Sequence, residues 1–327
     1  MQLKDIRECV EHIAAHPVLG PRYGKLIEQL PSTLRFALAN AVTWFEICEE
    51  LEGSATRFLG AAMTAFVSDD FLQELKSAPM FWVGPELVKR IANRESPLLS
   101  EAQVRDANSA AGLNLLAWHC TCHPRDVLRG EVATTVMTVF DQHHRGFWLR
   151  EIVGQADCVE HYCGMRNGGG LYFDRVQGAY VNYPELNARN FSDEPRTCGL
   201  TRDLAFTQGT SWLASLFVSY ARPRLGLSRG QQRQLRAALD GETDDELGDS
   251  LGISIHAVKM RWRTIYDRAA CVHDLVADRS RLDGEMRGRG REKKQRLLDY
   301  VRKHPEELHP VSRKLLRQSA TQRTAVT

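Results

Sequence analysis

The stretch Gly241-Glu242-Thr243-Asp244-Asp245-Glu246-Leu247, continued by Leu251-Gly252-Ile253-Ser254, Ala257-Val258-Lys259 and Ile265-Tyr266, carries the densest local signals in the chain. Thr243 and Glu246 have the spacing of a capping box, in which the hydroxyl serves the Glu246 amide and the carboxylate reaches back. Leu247 and Leu251 then face inward. Gly252 ends that helix, because a left-handed residue is least strained as glycine. Ile253 plugs the corner, and Ser254 caps a second helix whose buried stripe is Val258, Trp262 and Ile265. Upstream, Leu227-Ser228 leads into a short scaffold helix with Leu235 and Leu239 four residues apart, ending at Gly241. The segment therefore predicts three helices packed around a glycine corner.

These residues together resemble the LuxR-type helix-turn-helix of transcriptional regulators, over residues 227–269 of a 327-residue chain. The resemblance implies that recognition helix 254–268 enters the major groove and that its early turns meet base edges. With the apolar stripe turned inward, Ile255, His256, Lys259, Met260 and Arg263 face outward. Lys259 matches the family's DNA-contacting lysine. His256 and Arg263 are further candidates for base or phosphate contact, and Arg261 for phosphate. Thr243 starts a helix, where backbone amides and the dipole favour a phosphate. Three departures stand out. Gly230-Gln231 replaces the usual Arg-Glu of the scaffold helix, Asp244-Asp245 replaces Asn-Lys, and Arg261 replaces His. That arginine is also common in region 4 of bacterial sigma factors, so a sigma-like, polymerase-interacting protein is the competing reading of this segment. No upstream stretch matches sigma region 2. Family members commonly dimerise through a helix after the recognition helix, and Val272 to Leu282 is the expected counterpart.

Charge is unevenly placed. The net is +2 over the chain, but −6 over residues 1–220, zero over 221–278 and +8 over 279–327. An acidic body with a basic end suits a protein whose C-terminal part meets a polyanion. Within that end, Arg291 to His304 reads as an amphipathic helix with Leu297, Leu298 and Val301 on one side and Arg291, Lys294, Arg296, Arg302 and Lys303 exposed. It is expected to be an extension beyond the DNA-reading module. No run approaches eighteen apolar residues, so no membrane span is expected. The N-terminus lacks the apolar stretch of a secretory signal, which points to the cytoplasm. The eight cysteines are scattered and are read as reduced.

Residues 1–220 read as one mixed α+β domain. Leu3–Ala15 has helical spacing, broken by Pro17, Gly20 and Pro21. Residues 41–67 suggest a hairpin turning at Glu52-Gly53-Ser54. Ser68 is placed to cap a helix, Pro85–Ala92 to form one, and Ser100 with Gln103 to make a capping box. Leu113–Trp118 predicts a buried strand, Arg125–Gln142 and Trp148–Met165 predict helices, Leu171–Phe173 and Ala179–Val181 predict strands, and Thr210–Tyr220 a helix.

Two enzyme-like features need weighing. Arg57-Phe58-Leu59-Gly60-Ala61-Ala62 fits the Arg-x-x-Gly-x-Ala loop of GNAT acyltransferases, and the layout of hairpin, helices, buried strand, helix and Gly-rich return is loosely similar to that fold. In a working transferase such a loop would hold the coenzyme A pyrophosphate at a helix start. Here it falls inside an expected strand, which reads as chance. His119, Cys120, Cys122 and His123 put four N/S ligands into five residues, with His143, His144, Cys158, His161 and Cys163 further on. There is no paired Cys-x-x-Cys knuckle, and cysteine after a buried strand is often a small apolar residue, so no metal site is expected. His143 to Phe147 reads as a helix C-terminus with Gly146.

The sequence thus predicts an α+β protein in three parts: a sensory or interaction domain over 1–220, with a degenerate GNAT-like fold as one option, a helix-turn-helix over 225–284, and a basic helical extension over 285–327. The expected function is a DNA-binding transcriptional regulator with no catalytic residues and no cofactor. Expected partners are double-stranded DNA, RNA polymerase, a second copy of the chain and an unidentified small-molecule or protein effector. The alternatives are a GNAT-like acyltransferase with a DNA-binding appendage and a sigma-like protein.

Overall fold

The structure, a computed structural model, describes residues 3–52, 55–77, 79–122, 126, 129–182, 194–207, 211–270 and 290–312. The chain is mixed α+β and divides into two compact units, residues 1–144 with 148–218 and residues 145–147 with 219–327. The sheet lies in the first. The expected dimer helix at Val272–Leu282, the turn residues Gly53-Ser54 and His123 fall outside the described residues.

In the sheet unit, α1 (Leu3–Ala15), α2 (Leu19–Tyr23) and α3 (Leu30–Asn40) precede the hairpin β1 (Thr43–Glu52) and β2 (Ala55–Val67). Next come α4 (Asp69–Lys76), α5 (Val83–Ala92), α6 (Glu101–Ser109), β3 (Leu113–Cys122), α7 (Gly130–His144), β4 (Leu149–Ala156) and α8 (Val159–Asn167). The unit closes with β5 (Leu171–Asp174), β6 (Ala179–Val181), β7 (Arg196–Thr201), α9 (Arg202–Thr207) and α10 (Trp212–Val218). The strands line up as β1-β2-β3-β4-β7-β5-β6. All neighbours run antiparallel except β3 and β4, which run parallel and are joined through α7. The core on one face brings Ile13, Leu34 and Leu87 against Met63, Ala65 and Leu116.

Local signals hold where they are strong. Ser68 accepts from the Phe71 amide at 3.3 Å, and Ser100 with Gln103 closes a full capping box. The chain breaks after α1 but re-enters a helix at Leu19, with Pro21 in the first turn, where its missing N–H would lack an intrahelical partner anyway. One expectation is met in part, and another fails. Helix α7 runs Gly130–His144, with Arg129 outside it and Asp126 helical, while Arg125 lies outside the described residues. Trp148–Met165 is strand β4 followed by helix α8, not one helix. Ile152, Val153 and Gly154 are consecutively buried because β4 lies inside the sheet, and a strand covered on both faces loses the alternation that would announce it. Strand β7, also buried without alternation from Thr197 to Leu200, gave no signal for the same reason.

β3 and β4 pair only over Leu113–Ala117 and Leu149–Gly154. Beyond that, β3 continues beside β2 to Cys122, and β4 beside β7 to Ala156. The sheet therefore opens between two central strands, and a cavity of about 240 Å³ occupies the opening.

The helical unit contains α11 (Arg229–Leu239), α12 (Asp244–Leu251), α13 (Ile255–Ala269) and α14 (Gly290–Lys303), followed by a 3-10 turn at Pro305–Leu308. Ser228–Gln231 and Thr243–Glu246 both form capping boxes, and Gly252 takes the left-handed conformation, φ 63°, at the corner. Leu235, Leu247, Val258, Trp262 and Ile265 form the core. Leu297, Leu298 and Val301 of α14 are buried in that same core. The described part of the segment expected as a separate extension, 290–312, is thus an integral layer of this unit. The Glu307 carboxylate fastens it, accepting from the Arg224 and Leu225 amides at 2.7 and 2.9 Å and from the Tyr300 hydroxyl at 3.2 Å. Burial pushes the Glu307 pKa up. Gln232 adds donor bonds to the Glu307 and His309 carbonyls. Among the described residues, no helix is long and apolar enough to cross a membrane.

Candidate nucleic-acid interface

Helix α13 is fixed by its buried stripe, Val258, Trp262, Ile265 and Ala269. Ser254 caps it by accepting from the Ala257 amide at 3.2 Å. With that stripe inward, Ile255, His256, Lys259, Met260 and Arg263 are exposed. Two are large apolar side chains, Ile255 and Met260, 38% and 47% exposed. On a cationic helix face such groups are suited to thymine methyls.

The remaining candidates are placed differently. Arg261 is half-buried, its guanidinium over Gly230, where an added methyl would stand 3.3 Å from the Arg261 Cζ. The two departures from the family pattern, Gly230 and Arg261, therefore fill one gap together. The Thr243 hydroxyl donates to Glu246 Oε2 at 2.8 Å and accepts from the Glu246 amide at 3.4 Å. The Thr243 amide also donates to Glu246 at 2.7 Å, and these bonds hold the Glu246 pKa below its usual value. Thr243 is thus occupied within a first turn carrying Asp244, Asp245 and Glu246, which is poor ground for a phosphate.

Asp244 is not simply a surface anion. It accepts from the Trp262 indole N–H at 3.1 Å and pairs with Lys294 at 2.9 Å. Lys294 also sits 4.9 Å over the Trp262 ring, and Tyr266 stacks on that ring. A shallow groove follows, lined by Lys259, Arg263, Lys293 and Lys294 with Asp244 and Asp267. Lys259 and Arg263 come from α13, and the two adjacent lysines from α14. Lys293 was missed in the sequence, where only the periodicity of α14 was visible and not what its first described turn meets.

Among the described residues, the candidate ligand residues of the sheet unit are gathered only in part: Cys158 and His161 lie with Asp157, their ligand atoms within 4.8 Å of one another, and His119 and His144 are engaged elsewhere. His119 is buried in β3 and hydrogen-bonded to the Tyr23 hydroxyl, and desolvation pushes its pKa down to about 4. Cys120 and Cys122 belong to β3, but their side chains lie outside the described residues. His144 uses both ring nitrogens, on Thr64 Oγ1 and the Phe140 carbonyl at 2.7 Å each, and burial pushes its pKa down to about 3. The segment Arg57–Ala62 lies wholly within β2. Gly60 is paired with Cys48 on one side and Cys122 on the other, and Arg57 forms an ion pair with Glu50 at 2.6 Å. Backbone amides committed to a ladder are not arranged as a phosphate cradle at a helix start.

Comparison with known proteins adds no relative: no family model matches the chain, and neither a curated protein nor a solved structure matches it.

Proposed function

We propose that the helical unit is a LuxR-like helix-turn-helix that reads duplex DNA, that α13 is its recognition helix, and that the protein is a transcriptional regulator whose sheet unit senses a signal or partner. The observation that carries this reading is the groove in which Lys259 and Arg263 of α13 meet Lys293 and Lys294 of α14 beside an exposed Ile255, His256 and Met260. Base edges are read by the outward face of α13, and phosphates are neutralised by the four cations. The Asp244 carboxylate, engaged by Trp262 and Lys294, opposes DNA less than its sequence position suggests.

The test is titration of the full chain onto labelled promoter fragments at several salt concentrations with competitor DNA present. Binding that weakens linearly with log salt is expected, and Lys259→Ala or Lys293→Ala each lowers the slope by about one. Duplex binding that is absent, or insensitive to salt, overturns the reading.

A GNAT-like acyltransferase is the second reading. It is favoured by the order hairpin, buried strand β3, helix α7 and parallel strand β4. The placement of Arg57–Ala62 inside a strand speaks against its phosphate loop. Saturable acetyl-coenzyme A binding to the full chain would favour it.

A further inference from the structure

The opening between β3 and β4 has a built floor. Helix α8 presents His161, Gly164 and Met165 to the cavity, and its C-cap Gly168 continues the stripe at i, i+3, i+4 and i+7. Two of those four positions have no side chain, and a Cβ added at Gly164 would meet nothing within 4 Å. Much of the remaining wall is apolar, with Val132, Val136, Met137 and Phe140 from α7.

The polar end is small and specific. His161 lines the cavity with its side chain 9% exposed. Its Nδ1 is bonded to Asp157, while its Nε2 is buried with no hydrogen-bond partner among the described residues. Burial disfavours the charged ring, but the Asp157 hydrogen bond and charge outweigh it and hold the His161 pKa well above its usual value. The Asp157 contact at Nδ1 favours the protonated ring, in which Nε2–H is a buried donor in want of an acceptor. Arg22, whose guanidinium lies 3.4 Å over the Trp82 ring, also lines the cavity. His119 lines it as a neutral ring. Two cations against one carboxylate, Asp157, leave the polar end with a positive excess.

We propose that this cavity is the binding site for a small amphiphilic carboxylate, its apolar body between α7 and α8 and its carboxylate on the Nε2–H of His161. A cavity of 150 Å³ takes benzene, so one of about 240 Å³ takes about ten non-hydrogen atoms. The inference deepens the reading of the sheet unit as the sensing part and rests on that reading for the ligand's role, though not for binding. Asp157, Cys158 and His161 also bring one ligand atom each within 4.8 Å of one another, so a metal ion is the chemistry the test must separate.

Octanoate has the required size, and 1-octanol shares its body without the charge. Calorimetric titration of the full, chelator-treated chain is expected to show octanoate binding at least about tenfold more tightly than octanol. His161→Gln should remove that difference by weakening octanoate alone. Gly164→Leu should abolish binding of both while leaving thermal stability equal or higher, because leucine is the better helix former and its side chain enters open space. The second variant keeps the test decisive if the first fails to fold. Equal affinity for the two probes, no binding of either, or binding that Gly164→Leu leaves intact overturns the proposal. So does octanoate binding that appears only when zinc is restored. DNA binding is measured on the same samples without probe, so a failure of DNA reading is seen separately from a failure here.

Discussion

The two units treat buried polarity differently. The sheet unit buries imidazoles: His119 against Tyr23, His144 against Thr64 and Phe140, His161 against Asp157. The helical unit draws more on amides, beside the buried carboxylates of Glu306 and Glu307 and the buried imidazole of His309. Gln231 serves the Ser228 amide, Gln232 the carbonyls after α14, Gln234 the Val258 carbonyl, and Glu307 the Arg224 and Leu225 amides. Amides do not titrate, so they tie segments together at any pH. Imidazoles titrate near neutrality once exposed, so burying them with shifted pKa values ties the stability of the first unit to pH. That contrast fits a sensing part and a reading part.

The sharpest way to break the comparison is to attack one core and watch both units. Trp262→Ala removes a buried ring and the bond to Asp244, and should destabilise the helical unit by about 3–5 kcal/mol. Scanning calorimetry of the full chain is expected to show one transition shifted down and the other, from the sheet unit, unmoved. A single transition that moves as a whole would mean the units do not unfold separately.

Acid should produce the next largest effect, in the opposite unit. His119 and His144 have folded pKa values of about 4 and about 3 against an ordinary 6.5. Between those limits the unfolded chain holds more protons than the folded one, so acidification favours unfolding, and the contribution is fully present only above 6.5. Going from pH 7 to 5.5 should remove about 1 kcal/mol of stability per histidine. His161 works against this loss: its folded pKa is raised, so its contribution is fully present only below the unfolded value and grows between pH 7 and 5.5, offsetting part of what His119 and His144 remove. Glu307 likewise has a raised folded pKa, so its contribution is present below the unfolded value and is lost as pH rises through the folded one. The sheet-unit transition should therefore fall on acidification while the helical one does not, and equal shifts would remove the distinction.

A pair of glycines gives the smallest and most local test. An added methyl meets nothing within 4 Å at either Gly252 or Gly164. Gly252 sits at φ 63°, so Gly252→Ala should cost about 1 kcal/mol through backbone strain alone. Gly164 is inside α8, so Gly164→Ala should instead stabilise by about 0.5–1 kcal/mol. Thermal melts of the two variants check the opposite signs.

The same contrast explains how far the sequence could be read. By itself it determined the α+β class, the caps at Ser68, Ser100, Thr243 and Ser254, the left-handed corner at Gly252, and the inward stripe of α13 that leaves Lys259 and Arg263 outside. Those features depend on residues three or four apart, within reach of one helical turn. Only the tertiary structure decided that Trp148–Ala156 contains a strand, because its place between β3 and β7 inside the sheet depends on segments distant in sequence. The same holds for Lys293 and Lys294 beside Lys259, which depends on α14 closing the helical core. It holds also for the cavity at His161, which exists because two parallel strands stop pairing at Ala117 and Gly154. Each of these places side chains through contacts between segments tens of residues apart, and no local spacing encodes them.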